Sequence, residues 1–383
     1  MIAPVSKIRI TCALLVALLL GSSYTIAPPL EAKEKQPYTR SPGAMHAALL
    51  EIAQHTMERD APAQRLFVES YFMRSLIAAH EAVGDEVEPE VARAWLRRAV
   101  AFGDSLLLIQ NDDGYLPIGY PAGYLADMAA ALCVFPVLEA YVDSARLERY
   151  EGAVRRYLAA IERDGMLLSS GAVGTGWPEL ERRGGGRVWR SDMGWYDEPY
   201  LVSTALAGIS LNAWLYHRSG RPEYKRRAMA ALDFTLEQLE ADGSFPSHAR
   251  FEGKLRNAAY VQEGWMAADA HLGDSTLVDR LREPLGGHVA WLVGEQTRDG
   301  TWVGPVHGDF ARTPAVINFL IWYDRRLGSD RRVQKSVRRA CGPYQSASKR
   351  EQYGLFAQGE DNEVLTAFSG RALAAIVAGR PMP

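Results

Sequence analysis

Cysteine is scarce, with three in 383 residues, and Cys12 lies inside an N-terminal apolar run, which leaves Cys133 and Cys341 for the rest of the chain. Two thiols are too few for a disulfide scaffold or a Cys-rich metal site. A single bridge between them stays open, although Cys133, in an apolar helical run, reads as a buried free thiol. An excess of either charge is also lacking, since 43 Lys and Arg face 46 Asp and Glu for a net charge of −3. Without a basic field to neutralise phosphates, no nucleic-acid partner is expected. What the chain holds in quantity is apolar and aromatic: 48% hydrophobic residues, with nine Trp, 17 Tyr and 11 Phe. That load suits a large core, and equally a cleft that stacks flat rings such as sugars.

The N-terminus reads as an export signal. Lys7 and Arg9 precede the apolar run 10–20, followed by Gly21-Ser22-Ser23 and Pro28-Pro29. The run is short for a bilayer span. Cleavage after Ser23, Ala27 or Ala32 and retention as a membrane anchor are the alternatives. The expected plan is a signal peptide or anchor over 1–32, a Pro-rich, charged tether over 33–41, and one domain over 42–383, in the periplasm or secreted.

Beyond the tether, apolar residues recur every three or four positions, which predicts twelve helices: 47–57, 66–83, 91–108, 124–141, 147–161, 200–216, 224–239, 258–272, 277–293, 314–327, 333–340 and 364–377. Between them one punctuation returns: Asp113-Gly114-Tyr115, Asp164-Gly165-Met166, Asp242-Gly243-Ser244-Phe245, Asp299-Gly300-Thr301-Trp302, and a degenerate Tyr353-Gly354-Leu355-Phe356. Its glycines are 51, 78, 57 and 54 residues apart, and the long interval holds an insertion at 168–197. The repeat is first a structural device, because Gly ends a helix in a left-handed conformation and the aromatic tucks back into the hairpin. Six hairpins bury their apolar faces together if they close into a ring, so the expected fold is all-α, an (α/α)6 toroid. The later helix of each pair, nearly apolar all round, should be the inner one.

Gln296-Thr297-Arg298-Asp299-Gly300-Thr301-Trp302 resembles the Gln-x-x-Asp-Gly-x-Trp signature of the six-hairpin toroid superfamily. That superfamily includes polysaccharide lyases, unsaturated-uronyl hydrolases, glucuronyl epimerases, terpene cyclases and prenyltransferases. Gly176-Trp177-Pro178-Glu179 and Gly194-Trp195-Tyr196-Asp197-Glu198 are similar in style to segments around the clefts of the lyase and epimerase toroids. The Asp-x-Asp-Asp acid of class II terpene cyclases is missing, for Asp112-Asp113 stands between Asn111 and Gly114. No Cys/His constellation supports a zinc enzyme either. The resemblance thus implies glycan chemistry on a polysaccharide or oligosaccharide, with no metal or cofactor called for.

The insertion before the third inner helix is the densest group of candidates, with Trp177, Asp192, Trp195, Tyr196, Asp197 and Glu198. Arg250, Arg256, Tyr260 and Glu263 open the fourth inner helix, and Tyr260 and Glu263 share one face. His307, Asp309 and Arg312 mark the fifth rim, and Tyr353 and Glu363 the sixth. Two chemistries fit. Hydrolysis would use Glu198 and Glu263 as the two carboxylates. Lyase or epimerase chemistry would set arginines against a uronate carboxylate, with Tyr196, Tyr260 or His307 as acid or base. Burial at the cavity ends of inner helices is expected to raise the Glu198 and Glu263 carboxyls toward a general acid's range. Trp302 and Tyr353 would wall the pocket, with Asp309 and Glu363 near it. Capping, ion pairs and core packing are the structural alternatives for each residue, and a non-catalytic glycan-binding scaffold or a cyclase-like protein without its acid are the alternatives for the whole.

Overall fold

A computed structural model describes residues 37–60, 65–117, 123–177, 181–183, 186–188, 198–247, 254–303 and 309–382. Segment 1–36 lies outside the described residues. Among those described, twelve principal helices alternate between two layers. They are α1 (Pro42–Glu58), α2 (Leu66–Val83), α3 (Pro89–Ile109), α4 (Leu125–Leu132, continued by Val134–Leu138), α5 (Ser144–Arg163) and α6 (Leu201–Ser203, then the π-helical Thr204–Leu211, then Asn212–Ser219). The second half comprises α7 (Pro222–Glu237), α8 (Lys254–His271), α9 (Leu277–Glu295), α10 (Thr313–Arg326), α11 (Arg331–Ala340) and α12 (Glu360–Ala378). Two minimal antiparallel ladders accompany them: β1 (Gly123–Tyr124) with β2 (Gly176–Trp177), and β3 (Glu181–Arg183) with β4 (Gly186–Val188).

Local chemistry starts these helices. Proline occupies the first turn of α1, α3, α7 and α10, where its missing N–H costs nothing. Asp143 and Asp330 accept first-turn amides of α5 and α11. The even-numbered helices touch in cyclic order, with α12 packed on α2, and so close a ring; the odd-numbered helices sheath it. The chain is an (α/α)6 toroid, and the later helix of each hairpin is the inner one.

The repeated glycines sit where an outer helix hands over to the next inner one, so they share one rim. At Gly300 φ is +97°, and a Cβ there would lie 2.1 Å from the Arg339 carbonyl oxygen of α11. Only glycine lets the turn press on the following outer helix. Glutamine completes the joint: Gln296 Nε2 donates to the carbonyls of Gly300 and Ser336, both at 3.0 Å, and Gln110 does the same to Gly114 and Ala153 at 2.9 Å. The Gln-x-x-Asp-Gly signature therefore staples successive hairpins. Trp302 belongs to this joint and is a correction to the expected pocket wall, since it is buried with its indole N–H on the Leu292 carbonyl at 2.8 Å.

Candidate functional site at the amino-terminal rim of the ring

The amino-terminal ends of α2, α4, α6, α8, α10 and α12 surround a pocket of about 70 Å3, lined by Arg65, Tyr124, Asp127, Tyr200, Arg256, Tyr260, Arg312 and Glu360 among others. Asp127 stands on the first turn of α4 and is the one charged residue in the run from Leu125 to Leu138. Its Oδ2 accepts from Arg65 Nη1 at 3.4 Å, and Arg65 Nε lies 3.0 Å from Glu360 Oε2. One guanidinium thus serves two carboxylates. Burial pushes the Asp127 carboxyl up to about 6; Arg65 opposes this and the Glu360 charge reinforces it. Its side chain keeps 18% of its surface exposed, so the group faces the pocket.

Arg312 is buried and holds Asp361 at 2.8 Å, while Asp309, fully buried, accepts the Arg256 backbone amide at 3.2 Å and lies 3.7 Å from its Nε. Asp309 therefore serves the first turn of α8 rather than capping its own helix. Burial raises the Tyr260 phenol above its ordinary range, against Arg312 and Arg256. The phenol stays a proton holder at neutral pH.

Of the expected site residues, Arg256, Tyr260, Asp309 and Arg312 meet at this rim. Glu263 does not. It lies one turn deeper, on the axis of the ring, with Oε1 2.5 Å from Arg74 Nη1 and Oε2 3.3 Å from Arg371 Nη1; Oε2 also accepts the Tyr71 hydroxyl at 2.9 Å. Burial alone would raise its carboxyl, but the two guanidiniums outweigh burial and hold it below its ordinary value. The expected rise is reversed. Glu198 is exposed and is not among the residues lining the pocket; its backbone carbonyl accepts from Thr175. Tyr353 stacks on Phe310 and donates to Asp299 Oδ2 at 2.9 Å, and Glu363 lies 3.9 Å from Arg59. Trp177 pairs through its backbone with Gly123, but its side chain lies outside the described residues, as do Asp192, Trp195, Tyr196, Asp197, Arg250 and His307.

Sequence reasoning missed Arg65, Asp127 and Glu360. The signal for Asp127 was present: an ionisable residue in a helix apolar all round must find a partner or a cavity. Among the described residues, no group of three or more His, Cys, Asp and Glu has the placement to hold a metal ion, and no helix is long and apolar enough to cross a membrane.

No protein-family model matches the sequence, and no curated protein matches it. Solved structures do. A family 76 glycoside hydrolase from a bovine Bacteroides thetaiotaomicron strain matches 88% of this chain and 77% of its own, at 12% identity and a TM-score of 0.58. The unsaturated glucuronyl hydrolase of Bacillus sp. GL1, described as responsible for the degradation of glycosaminoglycan, matches 87% of this chain and 96% of its own, at 13% identity and a TM-score of 0.51. A type II terpene cyclase from Scytonema matches 88% and 99%, at 14% identity and a TM-score of 0.50. The chain spans 50% of the length of an ent-copalyl diphosphate synthase from Streptomyces platensis, at a TM-score of 0.47, too loose a likeness to argue from. With a polysaccharide lyase also among them, the structural neighbours include glycan-processing hydrolases and lyases. The likeness establishes the toroid fold; the chemistry must come from the site.

Proposed function

We propose that the protein is an enzyme that transforms an acidic, uronate-containing glycan at the amino-terminal rim, with Asp127 as the proton donor. The observation that carries this reading is the Asp127 carboxyl, pushed up to about 6 in a pocket that also holds three arginines and three tyrosines. A carboxyl titrating there is partly protonated near neutrality and gives its proton to a departing glycosidic oxygen. Arg65, Arg256 and Arg312, each beside a carboxylate of the protein, offer guanidinium N–H donors to a sugar carboxylate, and Tyr124, Tyr200 and Tyr260 offer ring faces and hydroxyls. In a hydrolytic cycle the proton leaves Asp127 for the leaving oxygen, water adds to the anomeric carbon, and Glu360, as the second carboxylate, takes the proton from that water. The glucuronyl hydrolases and polysaccharide lyase among the structural neighbours support a glycan substrate. Export is part of the proposal, supported by Lys7, Arg9 and the apolar run 10–20, and is checked by finding the protein outside the cytoplasm on cell fractionation.

The test is turnover on matched uronate-containing and neutral oligosaccharides across pH. Expected is a preference for the uronates and an alkaline limb with an apparent pKa near 6, since the protonated Asp127 is the active form. A preference for neutral glycans, or a D127N variant as active as the parent, would remove the reading.

A further inference from the structure

The other end of the ring carries a cavity that this chemistry does not use. It encloses about 560 Å3 among the carboxy-terminal turns of α2, α4, α8 and α10 and the residues that follow α12. Its floor is the axial cluster of Arg74, Glu263 and Arg371, and its sides are apolar, with Val137, Met266, Trp322 and Met382. At the mouth two of the three arginines hold a carboxylate, Arg326 with Asp269 at 2.9 Å and Arg380 with Glu81 at 3.0 Å, and Arg325 donates to the neutral Gly379 carbonyl at 2.9 Å.

The floor is not matched. Two guanidiniums face one carboxylate, and all three side chains are more than nine-tenths buried. The Nε atoms of Arg74 and Arg371 have no hydrogen-bond partner among the described residues. A buried surplus cation is costly, and an anion that approaches Arg74 and Arg371 through the cavity they line offsets that charge. Apolar sides above a cationic floor select the rest of the ligand, since a small hydrophilic anion would leave them wet.

We propose that this cavity is a binding site for an amphipathic anion, whose carboxylate or phosphate head docks on Arg74 and Arg371 while its apolar body lies along Val137, Met266, Trp322 and Met382. The site is separate from the rim pocket of Asp127 and does not depend on the glycan reading. It faces the opposite end of the same ring.

Isothermal titration of the full chain with dodecanoate, dodecyl phosphate, acetate and dodecyltrimethylammonium tests it, with each amphiphile below its micelle concentration. Expected is saturable one-to-one binding of one or both dodecyl anions, with the tighter of the two naming the head group. Acetate and the cation should bind at least roughly tenfold more weakly, the acetate for want of an apolar body. Arg371→Met, which leaves a matched Arg74–Glu263 pair, should weaken the anion roughly tenfold or more, in line with loss of a charge-assisted hydrogen bond. Ala267→Trp, which fills the cavity from α8, should abolish binding even if the arginine variant proves unstable. D127N should bind like the parent, so failure of the rim proposal leaves this one standing. Equal binding of anion and cation, unchanged affinity in Ala267→Trp, or no saturable binding of either anion would overturn it.

Discussion

Asp127 and Glu263 are both acidic residues on inner helices, both set among arginines, and their carboxyls move in opposite directions. The count of charges around each explains why. Asp127 shares one guanidinium, Arg65 at 3.4 Å, with a second carboxylate, so burial wins and the carboxyl rises to about 6. Glu263 has Arg74 and Arg371 to itself, plus the Tyr71 hydroxyl, so attraction wins and its carboxyl falls below the ordinary range. Within one fold, the amino-terminal rim keeps a proton available and the axis keeps a charge fixed. The first is what acid chemistry needs, and the second ties α2, α8 and α12 together across the axis.

The largest effect should follow from breaking the fixed charge. Glu263→Gln leaves two buried guanidiniums without a counter-ion, and removing one partner of a buried pair costs about 3–5 kcal/mol. Urea denaturation should show that loss as a lower midpoint at unchanged slope. Arg371→Met should cost far less, about 1–2 kcal/mol, because it leaves one cation with one anion. Equal losses in the two variants would mean that charge balance does not govern the axis.

The rim should answer in rate rather than stability. Asp127→Asn keeps the shape of the side chain and removes its proton, so turnover should fall roughly 10²- to 10⁴-fold, the usual worth of a general acid. Folding at neutral pH should survive. A variant that loses activity only because it unfolds would place Asp127 with Glu263 as a structural charge and erase the contrast.

How much of this was legible follows the same division. The hairpin count, the inner and outer layers and the single rim of glycines were readable because Asp-Gly turns recur about every 55 residues and the inner helices are apolar on all sides. Arg256, Tyr260, Asp309 and Arg312 were legible as rim residues because each lies just after a turn, near the start of an inner helix. Glu263 was misread for a physical reason: spacing of three from Tyr260 gives a shared face but not depth, and Arg74 and Arg371 reach it from 189 and 108 positions away in the chain. Trp302 was misread because an aromatic after Asp-Gly serves the hairpin joint as readily as a sugar. Arg65 and Glu360 carried no sequence signal of their own, since only ring closure brings α12 beside α2 and α4.

The smallest effect is also the sharpest, because the two carboxylates predict opposite slopes of stability against pH. The folded-state carboxyl of Asp127, at about 6, lies above its ordinary 3.8, so the folded chain holds that proton more tightly than the unfolded one. Stability from this group is therefore intact below about pH 4, falls as the pH rises toward 6, and stays lowered above it. Glu263, with its carboxyl lowered, contributes in the other sense: its share is present at neutral pH and is lost as acid protonates it. Asp127→Asn removes the first slope and leaves the second. At pH 8 the variant should be more stable than the parent, and at pH 4 the two should coincide. The displacement from 3.8 to about 6 caps the gain at about 3 kcal/mol, and screening at a partly exposed side chain reduces it to about 1–2 kcal/mol. Paired urea titrations at the two pH values measure the difference directly. A gap that does not widen between pH 4 and pH 8 would show that Asp127 titrates as an ordinary surface carboxylate, and the rim would then lose its acid.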